Sequence, residues 1–204
     1  MFYELATLSG TPLGARELSQ RAQAWVSEPL ACGQVLGIWL SDIGTIGQVF
    51  VLRGFEDLIQ LQTERDRALL STDPFRCRDL ASNLSMESYV GFAFLPPVRP
   101  KHYGGVFEFR TYHLKPGGLP TTLAGWKSAI EPARDYTDHL VINMYALDGP
   151  PRITHIWGFS SVNERMALRS NHYKRGVWPP KGGPEQIITA TSTIALAEAG
   201  LPIS

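Results

Sequence analysis

The sequence predicts an α+β fold in which two ferredoxin-like βαββαβ repeats come together as one pseudo-dimeric α/β barrel within a single chain. Three observations carry this expectation. First, the chain repeats itself: Tyr3-Glu4-Leu5-Ala6-Thr7 returns as Phe107-Glu108-Phe109-Arg110-Thr111, Leu36–Leu40 as Leu140–Met144, and Arg53-Gly54-Phe55 as Trp157-Gly158-Phe159, each pair 104 residues apart. One shared offset across three separated segments is the trace left by duplication of a structural unit. Second, strand-like and helix-like segments follow the same order in both halves, and a ferredoxin-like unit has one face of its sheet left for a partner once its helices are in place. Third, Pro96-Pro97-Val98-Arg99-Pro100 and the stretch Lys101 to Gly105 form a break between the halves. The expected division is a first, diverged repeat over residues 1–97, a linker over 98–105 and a second repeat over 106–204.

In the first half the expected elements are a strand at 2–8, a helix at 13–27, strands at 35–41 and 46–53, a helix at 55–70 and a strand at 86–95. Leu58, Leu61 and Leu69, with Ile59, are expected to supply part of the second helix's buried face. In the second half, Val106 to Tyr112 alternates aromatic and polar side chains as a half-buried strand does. Lys115-Pro116-Gly117-Gly118 ends it, and Pro120 suits the first turn of a helix whose Leu123, Trp126, Ala129 and Ile130 share one apolar face. Leu140–Ala146 and Arg152–Phe159 form two strands around the turn Asp148-Gly149-Pro150-Pro151. Ser160 or Ser161 caps a helix running to about Asn171, with Glu164 completing a capping box. The Pro- and Gly-rich loop Trp178 to Pro184 then leads into a last strand from Gln186 to about Ile194.

Composition narrows the function. The 204 residues are 44% hydrophobic and 19% charged, as in a packed globular protein, and nineteen basic side chains balance nineteen acidic ones. No net field or basic stripe gathers nucleic acid, so none is expected as a partner. Cys32 and Cys77 are expected to be reduced thiols, with no metal-ligand spacing around them and no metal. No apolar run approaches the roughly 20 residues of a membrane helix, so no membrane insertion is expected. The opening Met1-Phe2-Tyr3-Glu4 is already strand-like, which points to a cytoplasmic protein. Phosphate-binding loops, dinucleotide fingerprints and the hydrolase elbow are missing from the sequence, and no cofactor is expected.

Strand alternation assigns candidate site residues. Phe107, Phe109 and Thr111 are expected to pack on the helices, which puts Glu108, Arg110 and Tyr112 on the barrel side. Val141, Asn143 and Tyr145 would join them from one neighbouring strand, and His155 and Trp157 from another. In such a space Arg110 could hold an oxyanion, or Glu108 could simply neutralise it. His155 could act as a general base, or be a hydrogen-bonded core residue. Trp126 is assigned to the helix core, while Trp157 and Trp178 could wall a ligand or fill a core. The 104-residue offset places Glu4, Trp39 and Arg53 at barrel-facing positions of the first half. His172 is expected at a helix end, where the dipole favours a cation, and His102 and His113 in or beside loops.

The stretch Phe107-Glu108-Phe109-Arg110-Thr111-Tyr112-His113-Leu114-Lys115-Pro116-Gly117 resembles the opening strand of NIPSNAP domains, and Ile156-Trp157-Gly158-Phe159-Ser160-Ser161-Val162-Asn163-Glu164-Arg165 resembles their third strand and second-helix start. The resemblance covers roughly residues 105–196, with the first half similar to a diverged second copy in which Ala6 and Leu8 replace Arg110 and Tyr112. It implies the dimeric α+β barrel fold, shared by small monooxygenases, haem-handling enzymes and stress proteins, and carries over no catalytic residues. The expected function is binding of a small, partly apolar or anionic molecule in the barrel. Whether a reaction follows stays open. If one does, Arg110 and His155 would carry cofactor-free proton abstraction or oxygenation, with Tyr112, Tyr145 and Trp157 shaping the pocket. The alternative is a non-catalytic structural or interaction module with a side-chain-filled barrel, in which the loop Tyr173 to Pro184 contacts a partner. Under either, open sheet edges favour a homodimer.

Overall fold

The computed structural model describes residues 1–203. The first half runs β1 (Phe2–Gly10), α1 (Ala15–Val26), β2 (Gln34–Ile43), β3 (Gln48–Phe55), α2 (Leu58–Leu69) and β4 (Ala81–Gly91). The second runs β5 (Val106–Leu114), α3 (Leu119–Ala129), α4 (Arg134–Thr137), β6 (Leu140–Ala146), β7 (Arg152–Phe159), α5 (Val162–Lys174) and β8 (Ile187–Ala197). The eight strands close into a barrel in the order β1-β3-β2-β8-β5-β7-β6-β4, every pairing antiparallel. The halves meet at two seams, β2 with β8 and β4 with β6. Each strand therefore has two neighbours, but β4 meets β6 only over Tyr89–Gly91 and β8 meets β2 only over Ile194–Ala197, so the remainder of each strand pairs on one side alone.

The interior is filled. One cluster draws side chains from all eight strands, among them Tyr3, Trp39, Phe50, Tyr89, Phe107, Met144, Ile156 and Ala195. Trp39 of the first half packs 5.5 Å from Phe107 and 5.2 Å from Phe109 of the second, and Phe50 stacks on Phe109 at 4.5 Å. An eight-stranded barrel is just wide enough for side chains to occupy it. Two further clusters lie outside the barrel: Ala6, Leu8, Val49 and Val51 under Leu18, Ala22 and Trp25 of α1, and Ile153, Trp157 and Phe159 under Trp126 of α3 and Tyr136 of α4.

These clusters reverse the expected faces. Phe107 and Phe109 point into the barrel, whereas Glu108, Arg110 and Tyr112, with His155 and Trp157, point outward to the helices. Glu4 and Arg53 are likewise on the helix side, bonded to each other and, through Arg53, to Glu64 of α2. Trp39 and Val141 do belong to the inner cluster. Both faces of each half-sheet are buried, so alternation separates the two sets without saying which looks inward.

The repeat also slips in one strand. Tyr3 pairs with Gly54 as Phe107 pairs with Gly158, but Trp39 pairs with Phe50 while Met144, not Asn143, pairs with the matching Thr154. The structural counterpart of Asn143 is thus Ile38. Strand β4 begins at Ala81 and stops at Gly91, earlier than expected, and Phe92 to Leu95 makes a turn. On α2 the buried residues are Leu61, Glu64 and Ala68, whereas Leu58, Ile59 and Leu69 are 50%, 77% and 64% exposed. The helix turns its Glu64 inward because Arg53 waits beneath it. Ser161 caps α5, accepting from the Glu164 N–H at 3.1 Å, and the Glu164 carboxylate reaches back to the Ser160 N–H at 2.6 Å. His172 is fully buried near the end of α5, its Nδ1 2.7 Å from the Leu168 carbonyl and its Nε2 2.7 Å from Asp135 of α4. It pins α4 to α5, a partnership beyond the helix dipole. No helix among the described residues is long and apolar enough to cross a membrane.

Candidate functional site

Register builds the site on the outer face of the second half. Glu108 lies opposite Trp157, Arg110 opposite His155 and Tyr112 opposite Ile153 across the β5–β7 pair, so these side chains share one face. Helix α5 lays Arg165, Arg169 and Tyr173 over them at four-residue spacing, one stripe of a helix. Helix α3 adds Thr122 and Trp126, and the loop after α5 adds Trp178.

Glu108 is completely buried and saturated with donors. Arg165 donates to both of its oxygens, at 2.8 and 2.5 Å, and Ser192 donates at 2.6 Å. Burial pushes the Glu108 carboxyl up, but the Arg165 hydrogen bonds, the Arg110 charge and the Ser192 hydroxyl outweigh it and hold the group below the usual range. Arg110 itself is only 3.6 Å from Glu108 through Nε, which makes no hydrogen bond, and its guanidinium lies 5.1 Å from the centre of the Tyr112 ring. Arg169 donates to the Tyr173 hydroxyl at 3.1 Å, lies 5.3 Å over that ring and keeps a buried Nη1 without a partner. Two guanidiniums, Arg165 and Arg110, therefore face one carboxylate, and the charge of a third, Arg169, acts on the neighbouring His155. The Tyr136 hydroxyl nearby is also buried and unpartnered, and burial pushes it up to about 12.

His155 is 1% exposed. The Trp157 indole N–H donates to its Nδ1 at 2.6 Å, which places the imidazole proton on Nε2, and that buried N–H has no partner. Burial first, then the charges of Arg110 and Arg169, hold its pKa well below the ordinary value, so the ring is neutral. A neutral ring whose one lone pair is taken by an indole is a hydrogen-bond donor. The expected role of general base does not fit this geometry.

Beside this cluster lies a cavity of 170 Å³ lined by Tyr112, Thr122, Trp126, Ile153, Tyr173, Trp178 and Ile187, with Pro179, Pro180, Gly183 and Pro184 closing it from the loop. Trp126, expected only in the helix core, is one wall and also meets His155 edge-on at 5.1 Å, while Tyr112 meets it at 5.0 Å. The structure thus brings together Glu108, Arg110, Tyr112, His155 and Trp157, outside the barrel rather than within it. Asn143 neighbours His155 by register but lines a different, larger pocket, and Tyr145, opposite Ile153, packs at the margin of the outer cluster. Sequence reasoning missed Arg165, Arg169 and Tyr173. Their four-residue spacing was legible, although basic residues on a helix normally mark its solvent face.

The comparisons agree with this architecture. The sequence model of the NIPSNAP family matches residues 3–82 and 107–199, one segment in each half. The chain is 23% identical over 145 residues to a protein NipSnap homolog of Dictyostelium discoideum, an alignment covering 70% of this chain and 65% of that protein. Among solved structures, a candidate monooxygenase from Lactobacillus acidophilus NCFM is similar over 96% of this chain and 93% of its own, with a TM-score of 0.66 at 11% identity. An anthrone oxidase-like protein is similar over 97% and 91%, also with a TM-score of 0.66, at 10% identity. At such identities the likeness is one of fold, the dimeric α+β barrel. A NIPSNAP family protein of unknown function from Agrobacterium tumefaciens, 29% identical, aligns with 50% of this chain and 95% of its own, with a TM-score of 0.42. With both halves matched by one family model and joined in a closed barrel, this chain belongs to the NIPSNAP family.

Proposed function

We propose that the protein binds a small aromatic molecule bearing a negative charge, such as a single-ring aromatic acid or phenolate, in the cavity between β5, β7, α3 and α5. The observation that carries this is the surplus of partly buried cation beside an aromatic-walled space: Arg110 and Arg165 share the one carboxylate of Glu108, Arg169 adds its charge beside Tyr112 and His155, and Arg110 and Arg169 each keep a buried N–H without a partner. Buried charges and donors of this kind are costly unless matched. An anion 4 Å from such a cation gains about 4 kcal/mol at an effective dielectric of about 20. An apolar cavity of about 150 Å³ admits one benzene ring, and this one measures 170 Å³. The Nε2–H of His155 supplies a further donor behind the Tyr112 and Trp126 rings.

The chemistry this supports is binding and charge stabilisation. His155 offers no lone pair, and Glu108 already accepts three hydrogen bonds, so neither is free to take a proton. Proton abstraction or oxygenation would need a base from elsewhere. The alternative of a purely structural barrel is favoured by the filled interior, yet the cavity lies outside that interior and is untouched by it.

Calorimetric titration with benzoate and with benzamide, its neutral near-isostere, tests the proposal. Benzoate is expected to bind at least tenfold more tightly. Arg110→Ala should erase that preference, and Ile187→Trp, which fills the cavity, should abolish binding of both. Equal affinity for the two compounds, or an Arg110→Ala variant with unchanged benzoate affinity, would sink it.

A further inference from the structure

A second pocket, independent of the aromatic cavity, lies where the segment 92–103 crosses β6 and the end of α3, and its volume is 630 Å³. Small-molecule sites usually measure about 300–1,000 Å³. Its floor includes Tyr3, Phe92, Val141 and Asn143. Asn143 is 1% exposed, and neither its carbonyl oxygen nor its amide nitrogen has a hydrogen-bond partner. A buried amide left in this state is destabilising at each unmet group.

The fold does not require it. The counterpart of Asn143 in the first half, fixed by pairing of Ile38 with Val51 and of Asn143 with His155, is Ile38, which is fully buried in apolar packing. An aliphatic side chain satisfies this strand position in one copy, while the other copy carries a primary amide with both ends unmet. We infer that this pocket is a ligand site in which Asn143 reads a paired N–H donor and carbonyl acceptor, the edge of a lactam or carboxamide. The side-chain amide presents one acceptor and one donor side by side, the complement of that edge. At the rim Arg99, Lys101 and Arg134 stand against Glu131 and Asp138, one cation in surplus, so a carboxylate at the ligand's outer end is favoured. The substrate class is a heterocyclic lactam or amide carrying a carboxylate.

Orotate has both features, and 1,3-dimethylorotate keeps the carboxylate while blocking the ring N–H donors. NMR titration of the full chain, following the Asn143 side-chain amide protons and fitting a dissociation constant, separates them. Orotate is expected to saturate with shifts at that amide, and the dimethyl compound to bind at least tenfold more weakly. Asn143→Ile, which restores the residue of the other half, should abolish orotate binding while raising the thermal midpoint by about 2–4 °C, the shift expected of roughly 1 kcal/mol in a chain this long. The raised midpoint excludes misfolding as the cause of lost binding. Orotate that does not saturate, binds the Ile variant unchanged or fails to distinguish itself from the dimethyl compound overturns the inference.

Discussion

Glu4 and Glu108 occupy the same position in the two halves, both completely buried on the helix side of the sheet, and their surroundings have gone different ways. Around Glu4 the charges pair off, although Glu4 Oε2 and Arg53 Nε are left without hydrogen-bond partners. Arg53 bridges Glu4, at 2.6 Å, and Glu64, while Arg67 and the Cys32 N–H complete the Glu64 carboxylate at 2.9 Å each. Burial alone would lower the pKa of Arg53, and its two carboxylates reverse that and raise it. Around Glu108, Trp157 stands where Arg53 stands in the first half, and the balancing cation comes instead from α5 as Arg165. Arg110 and Tyr112 replace Ala6 and Leu8. The exchange leaves cations in excess and a walled space beside them. One copy has made its buried carboxylate into a brace; the other has kept it as the anchor of an unfinished network.

The sharpest way to break this comparison is Arg53→Met. It strands the buried Glu4 carboxylate and takes one of two guanidinium partners from Glu64, and a loss of about 4–5 kcal/mol, or failure to fold, is expected in urea unfolding. A loss under about 1 kcal/mol would mean the first half is no brace. Arg165→Met removes a bidentate partner but leaves Arg110 near enough to turn toward Glu108, so a smaller cost of about 2 kcal/mol is expected in the same assay.

Next comes pH. His155 is held neutral in the folded state and has an ordinary pKa of about 6.5 when unfolded, so below that pH the unfolded chain binds the extra proton and stability falls. The slope approaches about 1.4 kcal/mol per pH unit for one group. Stability measured from pH 7.5 down to 5.5 should therefore drop less in His155→Asn than in the parent; identical curves would show that the histidine titrates alike folded and unfolded. Glu108 acts in a lower window. Its depressed pKa contributes stability that is present above the unfolded value of about 4.3 and is lost as pH falls through the folded one. The smallest effect is Arg110→Met, within about 1 kcal/mol and in either direction, because the residue removed is a surplus cation.

Much of the fold was legible from residue order. Strands β6 and β7 start and stop where their apolar runs and the intervening Gly-Pro-Pro turn place them. Strand β4 was not, because Ala-Ser-Asn-Leu-Ser has little intrinsic strand preference and is held extended by pairing with β1 from Ala81 to Val90. Of the site, Glu108, Arg110, Tyr112, His155 and Trp157 were found together because they alternate along two adjacent strands. Their direction was not, since both sides of the sheet are buried. Trp126 looked like ordinary helix core, and Arg165 and Arg169 like solvent-facing charges, because nothing local tells a helix that its partner sheet carries a carboxylate.

The slip that sets Asn143 against Ile38 shows what joining the two repeats makes available. In a barrel assembled from two identical chains, every substitution is made twice, at symmetry-related places, and a change useful on one side must be harmless on the other. A covalently linked pair is released from that constraint. An amide can be buried in one copy and an aliphatic group kept in the other, so this single chain can explore recognition on one flank while the opposite flank goes on holding the barrel together.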